Sequence, residues 1–136
     1  MAKDAGKRSM TTHKGGCHCG RVRFEVDAPA AINATECNCS ICRKSGFVHM
    51  FVSADAFRLL QGEDELNTYT FNTGVAKHYF CRHCGVKSFY IPRSHPDGVS
   101  VNVNCLDPET IERIEITPFD GQNWEQNVSK LSPISD

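Results

Sequence analysis

The chain contains no apolar run close to the roughly 20 residues a helix needs to cross a bilayer, so no helical membrane span is expected. It has no excess of either charge: 15 Lys and Arg stand against 16 Asp and Glu, and the pI is near 6.6. A general nucleic-acid binder usually shows a basic patch and a domain pI above about 9, so no nucleic-acid partner is expected. There is no internal repeat, no low-complexity tract and no linker-like stretch, and 136 residues suit one domain. Residues 1–13 are polar and lack an apolar signal-peptide core. They read as a lead without fixed structure, before a domain over 14–126 and a tail over 127–136. The expected compartment is the reducing cytoplasm, where clustered cysteines serve metal binding or catalysis more often than disulfides.

Long helical periodicity is also scarce. Residues 21–26 and 99–103 alternate polar and apolar, as half-buried strands do. Segments 47–52, 57–60, 66–71, 76–80, 87–91 and 115–119 are rich in β-formers. Helical turns are expected only near 53–57, 107–111 and Trp124. Short strands at regular spacing predict an all-β domain of antiparallel sheets with few short helices. Phe119, Ile116 and Trp124 are expected to pack on its core.

What the chain does have is cysteine. Seven of eight fall in three clusters: Cys17-His18-Cys19, Cys37-Asn38-Cys39-Ser40-Ile41-Cys42 and Cys81-Arg82-His83-Cys84. The first and third are each followed by glycine and supply two thiolates apiece, enough for one closed tetrahedral zinc site. Cys81 and Cys84 lie between two expected strands, in the turn of a hairpin, where Gly85 can take the positive φ such a knuckle needs. Gly20 repeats the device after Cys19. Their shared form and the ligand count pair the two knuckles on one structural metal.

Cys37, Cys39 and Cys42 lack a local fourth ligand, which leaves three readings. The cluster is an open catalytic zinc, a closed site completed by Cys105, His49 or another remote residue, or a redox cluster without metal. Three thiolates on Zn²⁺ leave a net negative charge that suits thiol chemistry better than water activation. Cys105 alone reads as a small buried hydrophobe. His18, His49, His78 and His83 read as hydrogen-bond donors around the clusters or as surface residues. Basic residues accompany every cluster: Arg21 and Arg23, Arg43 and Lys44, Arg82 and Lys87. Cations there offset thiolate charge.

Gly16-Cys17-His18-Cys19-Gly20, Cys37-Asn38-Cys39-Ser40-Ile41-Cys42 and Phe80-Cys81-Arg82-His83-Cys84-Gly85, in this order, resemble the glutathione-dependent formaldehyde-activating enzyme family. Residues 68–73, 85–94 and 104–107 are closer still to the centromere protein V type of domain, and the resemblance covers about 14–124. It implies a β-tent fold and two zinc ions. Cys17, Cys19, Cys81 and Cys84 would hold the structural ion, and Cys37, Cys39 and Cys42 the catalytic one. It also implies carbon–sulfur lyase chemistry, with glutathione and formaldehyde giving S-hydroxymethylglutathione. Glutathione carries two carboxylates, for which Arg43, Lys44 and Arg93 are the candidate contacts. The expected partners are a small thiol and an aldehyde, with a homodimer allowed by unpaired strand edges. The competing reading from another class is a non-catalytic, zinc-stabilised protein-binding module.

Overall fold

A computed structural model of the protein describes residues 10–71, 74, 76–92 and 97–120. Two sheets carry the fold. The smaller has the order β1-β2-β5, formed by β1 (Met10–Gly16), β2 (Arg23–Pro29) and β5 (Phe57–Gln61). The larger comprises β3 (Ala31–Cys37), β4 (Val48–Ser53), β6 (Leu66–Tyr69), β7 (Lys77–Cys81), β8 (Phe89–Ile91), β9 (Gly98–Asn102) and β10 (Arg113–Phe119), in the order β10-β3-β4-β9-β8-β7-β6. Among the described residues the strand pairings are antiparallel, as expected, apart from the parallel pair of β3 with β10. Among the described residues no helix is long and apolar enough to cross a membrane.

Period-two alternation builds the core. Along β2, Phe24, Val26 and Ala28 are wholly buried while their neighbours are partly exposed. They pack against Val48, Met50 and Val52 of β4 and Val99 and Val101 of β9. Phe24 and Phe57 from the small sheet meet Phe89 from the large one, with ring centroids 4.7–6.1 Å apart. Burying each such side chain contributes roughly 1.5–3 kcal/mol.

The central strands β4 and β9 are buried on both faces. Their second face is polar. Strand register lines up His78, Tyr90, Ser100 and Phe51 across β7, β8, β9 and β4, with Asn102, His49 and Thr35 in the adjacent row. This buried polar face lies under the second cysteine cluster.

Two local expectations change. Strand β1 begins at Met10, inside the segment whose polarity reads as a structureless lead. Cross-strand pairing from Met10 to Gly16 satisfies its backbone. The buried His13 donates from Nε2 to the Pro29 carbonyl at 3.0 Å and takes the Thr110 hydroxyl at Nδ1 at 2.7 Å. Such long-range partners cannot be seen in composition. Ile116, expected in the core, is exposed because β10 is an edge strand, whereas Phe119 is buried as expected. Trp124 lies outside the described residues, as does Arg93.

Candidate metal centres and pocket

Cys17 and Cys19 sit in the turn from β1 to β2, while Cys81 ends β7 and Cys84 lies in the turn that follows it. Gly20 and Gly85 take φ of +85° and +77°, as expected for residues closing each knuckle. Backbone N–H groups point at sulfur: Val22 at Cys17 Sγ and His83 at Cys81 Sγ, both at 3.4 Å. The Cys17–Cys19 and Cys19–Cys81 sulfurs are 3.6 Å apart, and all four lie within 4.8 Å of one another. A tetrahedral ion with Zn–S bonds of about 2.3 Å needs sulfurs about 3.8 Å apart, so the four residues fit zinc without rearrangement. The cluster joins the small sheet to the large one.

Its thiols differ in environment. Burial pushes Cys17 up to about 11. Cys84 lies at about 6: its partial burial opposes ionisation, and the Val86 and Cys19 backbone N–H groups outweigh it. The Arg21 backbone and guanidinium hold the exposed Cys19 below the usual thiol value. Arg23 and Arg82 turn elsewhere, to Asp107 at 2.6 Å and Glu65 at 3.5 Å. His83 also pairs with Glu65.

The second cluster forms where β3 ends. Cys37 is its last residue, Cys39 is the N-cap of the short helix α1 (Ser40–Ser45), and Cys42 lies within that helix. The helix puts Cys39 and Cys42 three residues apart on one side. Sequence reading missed it, because six residues show no periodicity. The signal was the C-terminal cap: Arg43 and Lys44 in the last turn, then Gly46 at φ 66°, donating its N–H to the Cys42 carbonyl. The three sulfurs lie within 4.8 Å of one another, again a fit to zinc, and no fourth His, Cys, Asp or Glu among the described residues joins them.

Neither remote residue considered above joins the three sulfurs as a fourth member of the group. Cys105 Sγ reaches the Lys87 carbonyl at 4.0 Å, and burial, then the charges of Cys17 and Cys84, push its thiol up to about 11. It neighbours the four-cysteine cluster and does not complete the other. His49 Nε2 contacts Cys42 Sγ at 3.1 Å, while Nδ1 meets the Ser100 hydroxyl at 2.9 Å and the Tyr90 hydroxyl at 3.4 Å. Burial holds this imidazole neutral, with a pKa of about 3. In the tautomer whose Nδ1 accepts from these hydroxyls, the ring proton is on Nε2 and points at the Cys42 sulfur. Hydrogen bonds from Cys37 and Cys42 pull the Cys39 thiol far down, while those with Cys37 and then Cys39 push Cys42 up.

A cavity of about 760 Å³ opens beside this cluster, within the size range of small-molecule sites. Cys37, Cys42 and Arg43 line it, with Asn38, Phe47 and Phe119 among their neighbours. Lys44, on the same helical turn, is not in the lining. Asn38, Phe47 and Asn104 were not foreseen as pocket residues; only the folded chain brings 36–48, 104 and 118–120 together.

A β protein with one closed four-cysteine cluster and one open three-cysteine cluster facing a pocket is thus the class that fold and site define. Residues 12–124 match the glutathione-dependent formaldehyde-activating enzyme family, and the chain belongs to that family. A Halomonas elongata protein provisionally named a glutathione-dependent formaldehyde-activating enzyme is 28% identical over 128 residues, covering 86% of this chain and 82% of that one. The crystal structure of a Rhodobacter sphaeroides protein is 36% identical and superposes with a TM-score of 0.66, over 76% of this chain and 99% of the other.

Proposed function

We propose that this protein is a zinc-dependent carbon–sulfur lyase that joins glutathione, or a closely related thiol, to formaldehyde. The thiol sulfur bonds to the carbonyl carbon and its proton ends on the oxygen, giving S-hydroxymethylglutathione; the reverse step releases both. In this reading Cys17, Cys19, Cys81 and Cys84 hold a structural zinc ion, and Cys37, Cys39 and Cys42 hold the catalytic one. The observation that carries the proposal is the contrast in ligand number. Four sulfurs close the first cluster, whereas three sulfurs beside a pocket leave room for a substrate sulfur. Zinc bound there supplies the positive charge that keeps a thiol ionised near neutral pH.

The protein's own residues do the rest. The Nε2–H of His49 fixes the Cys42 sulfur and leaves Cys37 and Cys42 facing the cavity. Phe47 and Phe119 give the cavity apolar walls that exclude water from the adduct. Arg43 lines the cavity and in this reading meets a glutathione carboxylate, a strong charge-assisted contact. Lys44 lies farther along the same turn, and Arg93 remains a candidate from sequence alone. The fold reading that accompanies this function is the β-tent, supported by two sheets joined at the four-cysteine cluster. A reducing cytoplasm suits eight free cysteines.

Exchange NMR on a formaldehyde–glutathione mixture, with and without zinc-loaded protein, tests the proposal. Acceleration over the spontaneous reaction, lost in Cys39→Ser, is the expected result. No acceleration with both ions bound would overturn the glutathione–formaldehyde assignment.

A further inference from the structure

Lys87 follows Cys84 by three residues, yet its side chain serves the other cluster. It is only 8% exposed, and its Nζ lies 2.7 Å from His78 Nδ1, 4.2 Å from the centre of the Tyr90 ring and 4.8 Å from that of Phe47. All three neighbours belong to the region under the three cysteines. Phe47 donates its backbone N–H to the Cys42 carbonyl, and the Tyr90 hydroxyl reaches His49, which holds the Cys42 sulfur. His78 is buried and neutral, with a pKa of about 4 set by burial and then by Lys87, so its Nδ1 accepts from the ammonium.

A buried ammonium is unfavourable unless paired. One neutral acceptor and two aromatic faces stabilise it in part. Among the described residues no carboxylate forms an ion pair with it. Burial draws its pKa down to about 8, and the anions that oppose that fall are the thiolates of Cys42 and Cys39. The four-cysteine cluster contrasts with this: Cys19 is exposed, and its excess charge meets solvent and the surface Arg21.

We propose that Lys87 is the fixed counter-charge of the three-cysteine site, a positioning residue whose buried ammonium lets three thiolates hold a divalent ion and then admit a fourth, anionic sulfur. Three thiolates on Zn²⁺ carry one net negative charge, and a substrate thiolate adds another. Lys87 returns the loaded site to a single negative charge. This inference rests on the zinc reading given above.

The test measures the affinity of both zinc ions by chelator competition in the full-length protein, comparing wild type with Lys87→Gln and Lys87→Met. Glutamine keeps most of the bulk and a donor for His78 while removing the charge; methionine removes both polar functions. The four-cysteine ion serves as the internal check that each variant is folded. The expected result is a second-site affinity lowered about 10- to 100-fold in both variants, with the first site unchanged. Cobalt substitution should then show weaker thiolate-to-metal absorption on adding glutathione to either variant. Two ions bound with wild-type affinity in Lys87→Gln would overturn the counter-charge role and leave the zinc reading intact. A wild-type protein that binds one ion only would overturn the zinc reading itself, and this inference with it.

Discussion

The two cysteine clusters use the same sulfur chemistry in opposite settings. The four-cysteine cluster sits where two turns from different sheets meet, with Gly20 and Gly85 closing each knuckle and the apolar core directly behind it. The three-cysteine cluster sits on a strand end and a short helix, backed by His49, Ser100, Tyr90, His78 and Lys87, and faces a cavity. The first arrangement ties elements together and leaves no coordination position open. The second is held by elements already fixed through the large sheet, so its sulfurs need not support the fold. In the zinc reading proposed above, ligand number and the character of the backing separate a site that stabilises from one that reacts.

The largest test removes a sulfur from the first cluster. Cys81→Ser should lose its zinc and unfold the domain, since such an ion contributes on the order of 10 kcal/mol to folding. Circular dichroism with zinc analysis reads this directly, and a folded, fully zinc-loaded variant would break the comparison. The matching change in the second cluster, Cys39→Ser, should leave the fold and the first ion in place. It should slow adduct formation at least about 100-fold, as loss of a ligand at a catalytic metal would.

Acid should act on the polar side. His78 has a folded pKa of about 4, lowered by burial and then by Lys87, against an ordinary value near 6.5. Between those values the unfolded chain binds a proton that the native protein excludes, so stability falls as pH drops from about 6.5 to 4. From pH 7 to 5 the loss should reach about 2 kcal/mol, and thermal melts of His78→Phe should show a smaller pH dependence than wild type. An equal dependence would remove His78 as its source.

A smaller effect belongs to the pocket. Arg43→Ala should raise KM for glutathione about tenfold with kcat little changed, the pattern of a lost docking contact. The smallest belongs to the first cluster's knuckle. A Cβ at Gly85 would meet nothing within 4 Å, so Gly85→Ala should cost only the strain of its positive φ, about 1 kcal/mol, without loss of zinc. A much larger loss would mean that the knuckle tolerates no adjustment.

Much of this was legible in the residues. The Cys-Gly knuckles announced their positive φ, and alternation at 21–26 and 99–103 located β2 and β9 to within a few residues. Strand β3 was not anticipated, because Asn33 and Glu36 interrupt its apolar pattern and its support comes from β10 and β4 on either side. The parallel β3–β10 pair joins segments some 80 residues apart, a distance over which local pattern carries no pairing information. Of the substrate cations proposed from sequence, Arg43 lines the pocket and Lys44 does not, a difference of one position on a helical turn.

By itself the sequence determined the chemistry: which residues are thiols, how they are grouped, and that a β framework with glycine turns carries them. Those properties follow from residue type and short spacing, which act through local dihedral preference and ligand geometry. Tertiary structure decided which thiols share a site and what each site faces. Lys87 shows why. Three residues from Cys84 along the chain, it is buried against Tyr90 and His78 on the side of Cys42, because the non-strand segment leading into β8 packs there, a placement that sequence distance does not set.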